Sequence, residues 1–299
     1  MMKNILYYKY VDMGSQKALE KFQIRHLALC RRLGLNGRVL IASEGINGNL
    51  TGENKNIKEY MSVMKKDKLF SDIQFKQGKT DSHNFKKMFV RIRPEIVTWK
   101  LNADLKNKAE YIEPKALKKM FDKKEEFVIL DIRNKYEYDI GHFKNAVCVE
   151  IDKSTELPTV MKDLQKYKDK KIVTCCTGGV RCEKASAYLR EHGFNDIKQL
   201  HGGIIRYGEV VGDDHWQGKC FVFDTRGAID LDASKNTSPI TQCVLCNVPE
   251  SKWYNCAKVT CDKRFIACKK CVKILNYCCS KMCRNETERH PDRYCNSNS

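Results

Sequence analysis

Residues Cys176-Thr177-Gly178-Gly179-Val180-Arg181 follow directly on an apolar, strand-like run, 171–176 (KIVTCC). They stand directly before a helix-like run, 183–192 (EKASAYLREH), with Gly193 as its stop. This order limits the fold. Apolar runs at 127–132, 146–151 and 197–200 surround it, each followed by loop or helix patterns. Strands alternating with helices imply a parallel sheet, with the site at the carboxyl ends of the strands. Two glycines let the loop backbone fold tightly with its N–H groups turned inward. The following helix adds its positive N-terminal end. A cysteine at the lip of such a cradle ionises more easily than a free thiol, and Arg181 adds a fixed positive charge. Cys176 and Arg181 are therefore the expected catalytic pair, with Thr177, Gly178, Gly179 and Val180 as the supporting loop. Adjacent strand residues point to opposite faces, so Cys175 is expected in the core. Cys182, in the first helical turn, is a candidate resolving thiol for an oxidised Cys176, or simply a packed side chain.

The segment before this one reads differently. Strand-like 4–10 precedes a helix over 16–33 capped by Ser15, with Leu19, Phe22, Leu29 and Leu33 at helical spacing. Residues 38–43 read as a strand, Gly45, Asn47 and Gly48 as a turn, and 49–51 as the start of the returning strand. A helix near 55–66 and strands at 73–77 and 88–98 follow, with Pro94 marking an edge or bulge. The order is close to a ferredoxin-like βαββαβ unit.

Charge separates the same segments. Residues 1–126 hold 27 basic and 15 acidic side chains, 127–239 hold 17 of each, and 240–299 hold 11 and 5. A neutral middle between basic ends suits a polyanion, nucleic acid first. Lys86, Lys87, Arg91 and Arg93 are the expected RNA contacts, with Arg91 and Arg93 on one face of a strand. His83 and Phe85 lie close enough in sequence to stack on bases. Lys263, Arg264, Lys269 and Lys270 form a second basic cluster. No apolar run is long enough for a membrane helix, and the start lacks a secretory pattern. The expected location is the cytoplasm, with no membrane partner and no DNA.

Ten of the 16 cysteines lie after residue 240. With no secretory pattern, such a cluster reads as metal binding rather than as disulfides. The spacings are Cys243-x2-Cys246, Cys256-x4-Cys261, Cys268-x2-Cys271 and Cys278-Cys279-x3-Cys283. Eight thiols, with Cys279 preferred to its neighbour Cys278, suffice for two closed, structural zinc sites. Their pairing is open at this level. The seven histidines are scattered, and no iron, flavin or haem motif accounts for oxygen chemistry.

The middle segment resembles the rhodanese domain, whose active cysteine opens a six-residue loop between strand and helix. Asp131-Ile132-Arg133, Glu137 and Gly141-His142 with Ala146 match that family's upstream pattern. The resemblance implies that Asp131 and Arg133 support the fold near the active loop and that the Gly141-His142 turn is mostly structural. Related phosphatases place five residues between Cys and Arg; four stand here. Ala42-Ser-Glu-Gly-Ile-Asn-Gly-Asn-Leu-Thr-Gly, Val90-Arg-Ile-Arg-Pro-Glu-Ile-Val, Cys176-Thr-Gly-Gly-Val-Arg-Cys-Glu-Lys-Ala-Ser, Trp216, Gly218, Phe221-Val-Phe-Asp-x-Arg and the cysteine-rich tail are similar to the bacterial tRNA uridine hydroxylases. That resemblance spans nearly the whole chain. It implies hydroxylation of uridine 34 in the tRNA anticodon to 5-hydroxyuridine through Cys176, with molecular oxygen as co-substrate.

The expected architecture is thus a multidomain α/β and α+β protein. A basic, ferredoxin-like, tRNA-binding domain (1–105) and a Cys-rich zinc module (236–299) flank a rhodanese-like parallel α/β catalytic domain (113–224). A sulfurtransferase carrying a Cys176 persulfide and a non-catalytic RNA-binding adaptor are the alternatives. In this scheme the isolated 127–239 segment keeps a reactive Cys176 but loses tRNA.

Overall fold

The computed structural model describes residues 1–261, 263–286 and 288–290; the last residues of the expected 236–299 module lie outside them. The first sheet contains β1 (Met2–Tyr10), β2 (Asn36–Ala42), β3 (Gly45–Glu53), β4 (Lys76–Thr80) and β5 (Met88–Ile92), in the order β4-β1-β3-β2-β5. Helices α1 (Gln16–Arg32) and α2 (Asn54–Lys66) carry the two crossovers. The antiparallel β4-β1-β3-β2 core is the expected βαββαβ unit. A fifth strand, β5, adds to it parallel to β2. It stops at Ile92 rather than running to 98, because Pro94 has no N–H for a ladder. Ser15 caps α1, accepting from the Ala18 amide. One face of the sheet is closed by Ile5, Tyr7, Val39, Ile41 and Leu50 packing on Leu19, Phe22, Ile57 and Tyr60 of the helices. The opposite face carries no helix of its own.

The glycines of 45–48 do not form the expected turn. Ser43 and Glu44 make it, and Gly45–Gly48 already run in β3. A Cβ on Gly48 would meet the Tyr7 ring at 2.2 Å, and one on Gly45 would meet the Lys9 carbonyl at 2.1 Å. These glycines serve close approach between β1 and β3.

The second sheet is wholly parallel. Its strands are β6 (Glu110–Ile112), β7 (Val128–Asp131), β9 (Val147–Cys148), β10 (Ile172–Cys175) and β11 (Ile197–Leu200), in the order β6-β11-β10-β7-β9. Interleaved are α3 (Pro114–Asp122), α4 (Lys135–Ile140), a short β8 (Gly141–Phe143), α5 (Met161–Leu164), α6 (Val180–Glu191) and α7 (Gly203–Val211). Cys175 and Cys176 fall into different cores, on opposite faces of the sheet. Trp99 leaves the first sheet behind and packs, fully buried, into the core of the second.

Beyond α7, β12 (Trp216–Gly218) pairs with β8, and β13 (Cys220–Phe221) with β14 (Ala228–Ile229). A hairpin of β15 (Trp253–Asn255) and β16 (Arg264–Ile266), then α8 (Lys269–Ile274) and α9 (Lys281–Arg284), complete the described tail. Two small cores lie there, one mixing Cys243 and Cys271 with Phe265, Val272 and Leu275, the other mostly cysteine.

Candidate active site and metal centres

Cys176 leaves β10 at its carboxyl end, and Gly179, at φ +96°, opens α6. The loop is held from behind by α7. The amides of Ile204 and Ile205 donate to the carbonyls of Cys176 and Thr177 at 2.9 and 3.0 Å. With these carbonyls tied back, the loop amides are free to turn inward. The Gly179 amide donates to Cys176 Sγ at 3.2 Å. Gly203 permits this contact, since a Cβ there would meet the Cys176 carbonyl at 2.5 Å and the Gly179 nitrogen at 2.6 Å. The sequence signal was the pair Gly202-Gly203 before a helix, a second version of the Gly178-Gly179 pattern.

Burial pushes the Cys176 thiol up, but more than this is pulled back. A hydrogen bond from Cys182, the Arg181 charge and the amides of Cys182 and Arg181 lower it to about 6. Cys176 is therefore largely a thiolate at neutral pH. Cys182 is raised well above the ordinary thiol range by its burial and by hydrogen bonding to Cys176, so it remains a donor. Burial likewise keeps Cys175 a neutral thiol.

Arg181 does not present a free charge. Its Nη1 and Nη2 donate to the two carboxylate oxygens of the fully buried Glu137 at 2.6 and 2.8 Å, and Nη2 also reaches Thr177 Oγ1 at 3.2 Å. Glu137, at the start of α4, is the anchor of the loop's arginine. Asp131 and Arg133 form a second fully buried pair, and Arg133 Nη2 donates to the Gly141 carbonyl at 2.6 Å. They fasten β7 to the β8 turn, one strand away from Cys176. His142 points back to the Tyr138 carbonyl, 2.8 Å from Nδ1.

Cys176 is not at the lip of an open cradle. It is fully buried, and the open face of the first sheet lies over the loop. A Cβ on Gly178 would stand 3.0 Å from Leu6, and one on Gly179 would stand 3.0 Å from the Tyr8 hydroxyl. Tyr8 donates to Glu183 at 2.8 Å and Tyr10 to the Val180 carbonyl at 3.2 Å. Lys184 is bound by Glu44 and Glu95 at 2.7 and 2.9 Å. The middle segment therefore does not carry its site alone. Removing residues 1–126 would uncover the loop, although Cys182, Arg181 and Glu137 all belong to the 127–239 segment.

Beside the loop opens a cleft of about 1950 Å³. Thr177, Gly178, Val180 and Arg181 form one wall, the open face of the first sheet another, and Tyr136, Phe223 and Arg264 a third. None of Lys86, Lys87, Arg91 and Arg93 lines it; all four are exposed outside. Arg38 does line it, and the nearby Arg91 and Arg93 charges, after burial, lower its basicity. The three arginines thus converge from β2 and from β5 with the residue just after it, linking cleft to rim. His83 accepts or donates at Thr51 Oγ1 and lies outside the lining. The aromatic rings that face the cleft are Tyr136 and Phe223. Lys263 and Arg264 bring the tail's basic cluster to the same wall.

The eight expected cysteine ligands gather as two sets of four. Cys243, Cys246, Cys268 and Cys271 form one, and Cys256, Cys261, Cys279 and Cys283 the other, with all sulfurs of a set within 4.8 Å of one another. Each set can hold a metal ion. Cys278 belongs to neither, its Sγ lying 3.7 Å from the Asn276 carbonyl. All described cysteines are free.

A cysteine loop of this length on a parallel sheet, with a bidentate Glu–Arg pair behind it, defines a rhodanese-type site. Residues 113–209 match the rhodanese-like domain, 2–96 the UPF0176 acylphosphatase like domain and 217–284 the rhodanase C-terminal family. The tRNA uridine(34) hydroxylase of Cytophaga hutchinsonii is 38% identical over 289 residues, covering 96% of this chain and 91% of that protein. The protein of the same name from Listeria monocytogenes serotype 4a is 41% identical over 94% of this chain and 88% of its own. That of Bacillus licheniformis is 40% identical over 97% and 90%. The chain belongs to the tRNA uridine(34) hydroxylase family. Among solved structures, a rhodanese-like domain from Anabaena sp. overlaps 36% of this chain and 78% of its own, at 24% identity and a TM-score of 0.31.

Glu137→Ala leaves the Arg181 guanidinium buried and unpaired. Breaking such a pair costs about 3–5 kcal/mol. Denaturant melts of the purified variant should show a loss of this size, and Glu137→Gln, which keeps one acceptor, a smaller one.

Proposed function

We propose that this chain hydroxylates uridine 34 of tRNA at C5, giving 5-hydroxyuridine, with Cys176 as the reacting group and molecular oxygen as co-substrate. The observation that carries the reading is a buried, readily ionised cysteine whose loop, through Thr177, Gly178, Val180 and Arg181, lines a two-domain cleft large enough for a nucleotide. The loop amides and Cys182 hold the negative charge on sulfur, and Arg181 fixes the loop through Glu137. Phe223 and the Tyr136–Arg264 pair, whose guanidinium lies 4.4 Å from the ring centre, offer planar groups on which a base can stack. The anticodon loop is the part of tRNA that carries uridine 34, so it is the part that must enter. Among the described residues no helix is long and apolar enough to cross a membrane. Free thiols and a tRNA substrate support a cytoplasmic location.

Cys176→Ser should abolish 5-hydroxyuridine at position 34 in a strain carrying only the variant, as read by nucleoside mass spectrometry. The same loop could carry a persulfide, and in that case thiouridine would fall instead.

Arg38, Arg91 and Arg93, with Lys86 and Lys87, form a basic rim for the phosphate backbone. Changing Arg91 and Arg93 to Ala should weaken tRNA binding for all tRNAs alike. It should also make the salt slope shallower by roughly one unit per lost phosphate contact, measured by filter binding at several salt concentrations.

We assign zinc to the two cysteine sets. A tetrahedron with Zn–S bonds of about 2.3 Å has sulfur–sulfur edges of about 3.8 Å. Cys246 and Cys268 are 3.8 Å apart, Cys261 and Cys279 3.8 Å, and Cys279 and Cys283 3.7 Å. Four thiolates close each site, so the metal's part is structural. Metal analysis of the purified protein should give close to two equivalents of zinc, and chelator should unfold the tail.

A further inference from the structure

Most cations around the active loop are already bound by carboxylates. Glu137 holds Arg181, Glu44 and Glu95 hold Lys184, Glu183 holds Lys108, and Asp224 holds Arg226. Lys76 is different. It lies on β4, is only 7% exposed, lines the cleft, and among the described residues has no carboxylate at ion-pair distance. Its place in the ladder is opposite Leu6, the side chain nearest Gly178. Its ammonium stands 5.0 Å from the centre of the Tyr8 ring, whose hydroxyl faces Gly179 and donates to Glu183. A charge with no ion-pair contact, felt at longer range by Glu209 and Glu183, is thus held beside the Cys176 loop by the other domain.

We propose that Lys76 balances the Cys176 thiolate, so that the N-terminal domain supplies a positioning charge of the active site. This rests on the reading of Cys176 as the reacting thiolate.

Burying a charge without a partner is costly, and a lysine in that position tends to lose its proton. Burial lowers Lys76 to about 8, while Cys176, Glu209 and Glu183 pull it up and Arg206 pushes it down. The groups facing Cys176 are Cys182 and Arg181 from α6, Cys175 from β10, and Tyr8 and Tyr10 from β1. With Cys176 near 6 and Lys76 near 8, both ions are present together between those values. Below this window the sulfur is protonated; above it the lysine is neutral. An arginine in place of Lys76 would stay charged throughout.

The test follows the thiolate absorbance near 240 nm against pH. For the wild type, Lys76→Met and Lys76→Arg, the matching Cys176→Ser protein is subtracted, so only Cys176 is read and no reagent need enter the buried site. The expected result is a midpoint about one pH unit higher in Lys76→Met, a tenfold loss of thiolate at low pH, and a return towards wild type in Lys76→Arg. Both variants keep a long, unbranched side chain at this position. A midpoint moved from about 6 to about 7 leaves roughly half of the sulfur ionised at neutral pH, so in cells 5-hydroxyuridine should fall about twofold with Lys76→Met and persist with Lys76→Arg. A midpoint unmoved by Lys76→Met, or moved equally by both variants, overturns the proposal. If Cys176→Ser retains 5-hydroxyuridine, the reading of Cys176 fails instead, independently of Lys76.

Discussion

Keeping a negative sulfur where water does not reach it is the constraint on which this structure turns. An isolated buried anion is far costlier than a neutral thiol, so the charge persists only where fixed dipoles and charges replace water. Here the replacement is first the Cys182 hydrogen bond and the Arg181 charge, and then the loop backbone. The loop carbonyls are tied back to the start of α7, and the amides that remain face the sulfur. Gly179 and Gly203 are required because each permits an approach that a side chain would block. The parallel sheet matters because it delivers both helix starts to the end of one strand.

The Glu137–Arg181 pair shows how positive charge is managed in such a site. An unpaired guanidinium would neutralise the sulfur more strongly, but it would also have to be buried alone. Pairing it bidentately with Glu137 fixes the loop geometry and leaves a weakened positive field at Cys176. The Arg181 charge still lowers the Cys176 thiol, second to the Cys182 hydrogen bond. The covering face of the first sheet then completes the enclosure, with Tyr8 and Tyr10 as neutral hydrogen-bond donors, their hydroxyls kept protonated by burial.

Much of this was legible in the chain. Cys176 was marked by its place between an apolar strand and a helix, and the eight zinc-type cysteines by their spacing. Their pairing was not, because it depends on how the β15–β16 hairpin and α8 fold back, which spacing does not encode. Gly45 and Gly48 read as a turn because glycine gives the same signal for a turn and for close strand packing. Lys76 gave no signal: one lysine in a lysine-rich segment says nothing until β4 is placed beside β1. The basic residues at 86–93 were conspicuous in sequence yet lie on the rim, whereas Arg38 reaches the cleft because β2 runs through the middle of the open face. The shared surface is what the sequence does not display. Charge bookkeeping divided the molecule into a binding part and a reacting part, while Leu6, Tyr8 and Tyr10 show one surface shared by both.

That shared surface has a chemical corollary. A thiolate is also the form of cysteine that peroxides attack, and overoxidised sulfur is not recovered by simple thiols. With its sulfur fully enclosed between two domains, Cys176 is shielded from the thiols of other proteins, while oxygen, the co-substrate of the proposed reaction, must still reach it. The closed arrangement therefore acts as storage: it holds a nucleophile in its reactive charge state while denying it everything except what the cleft admits.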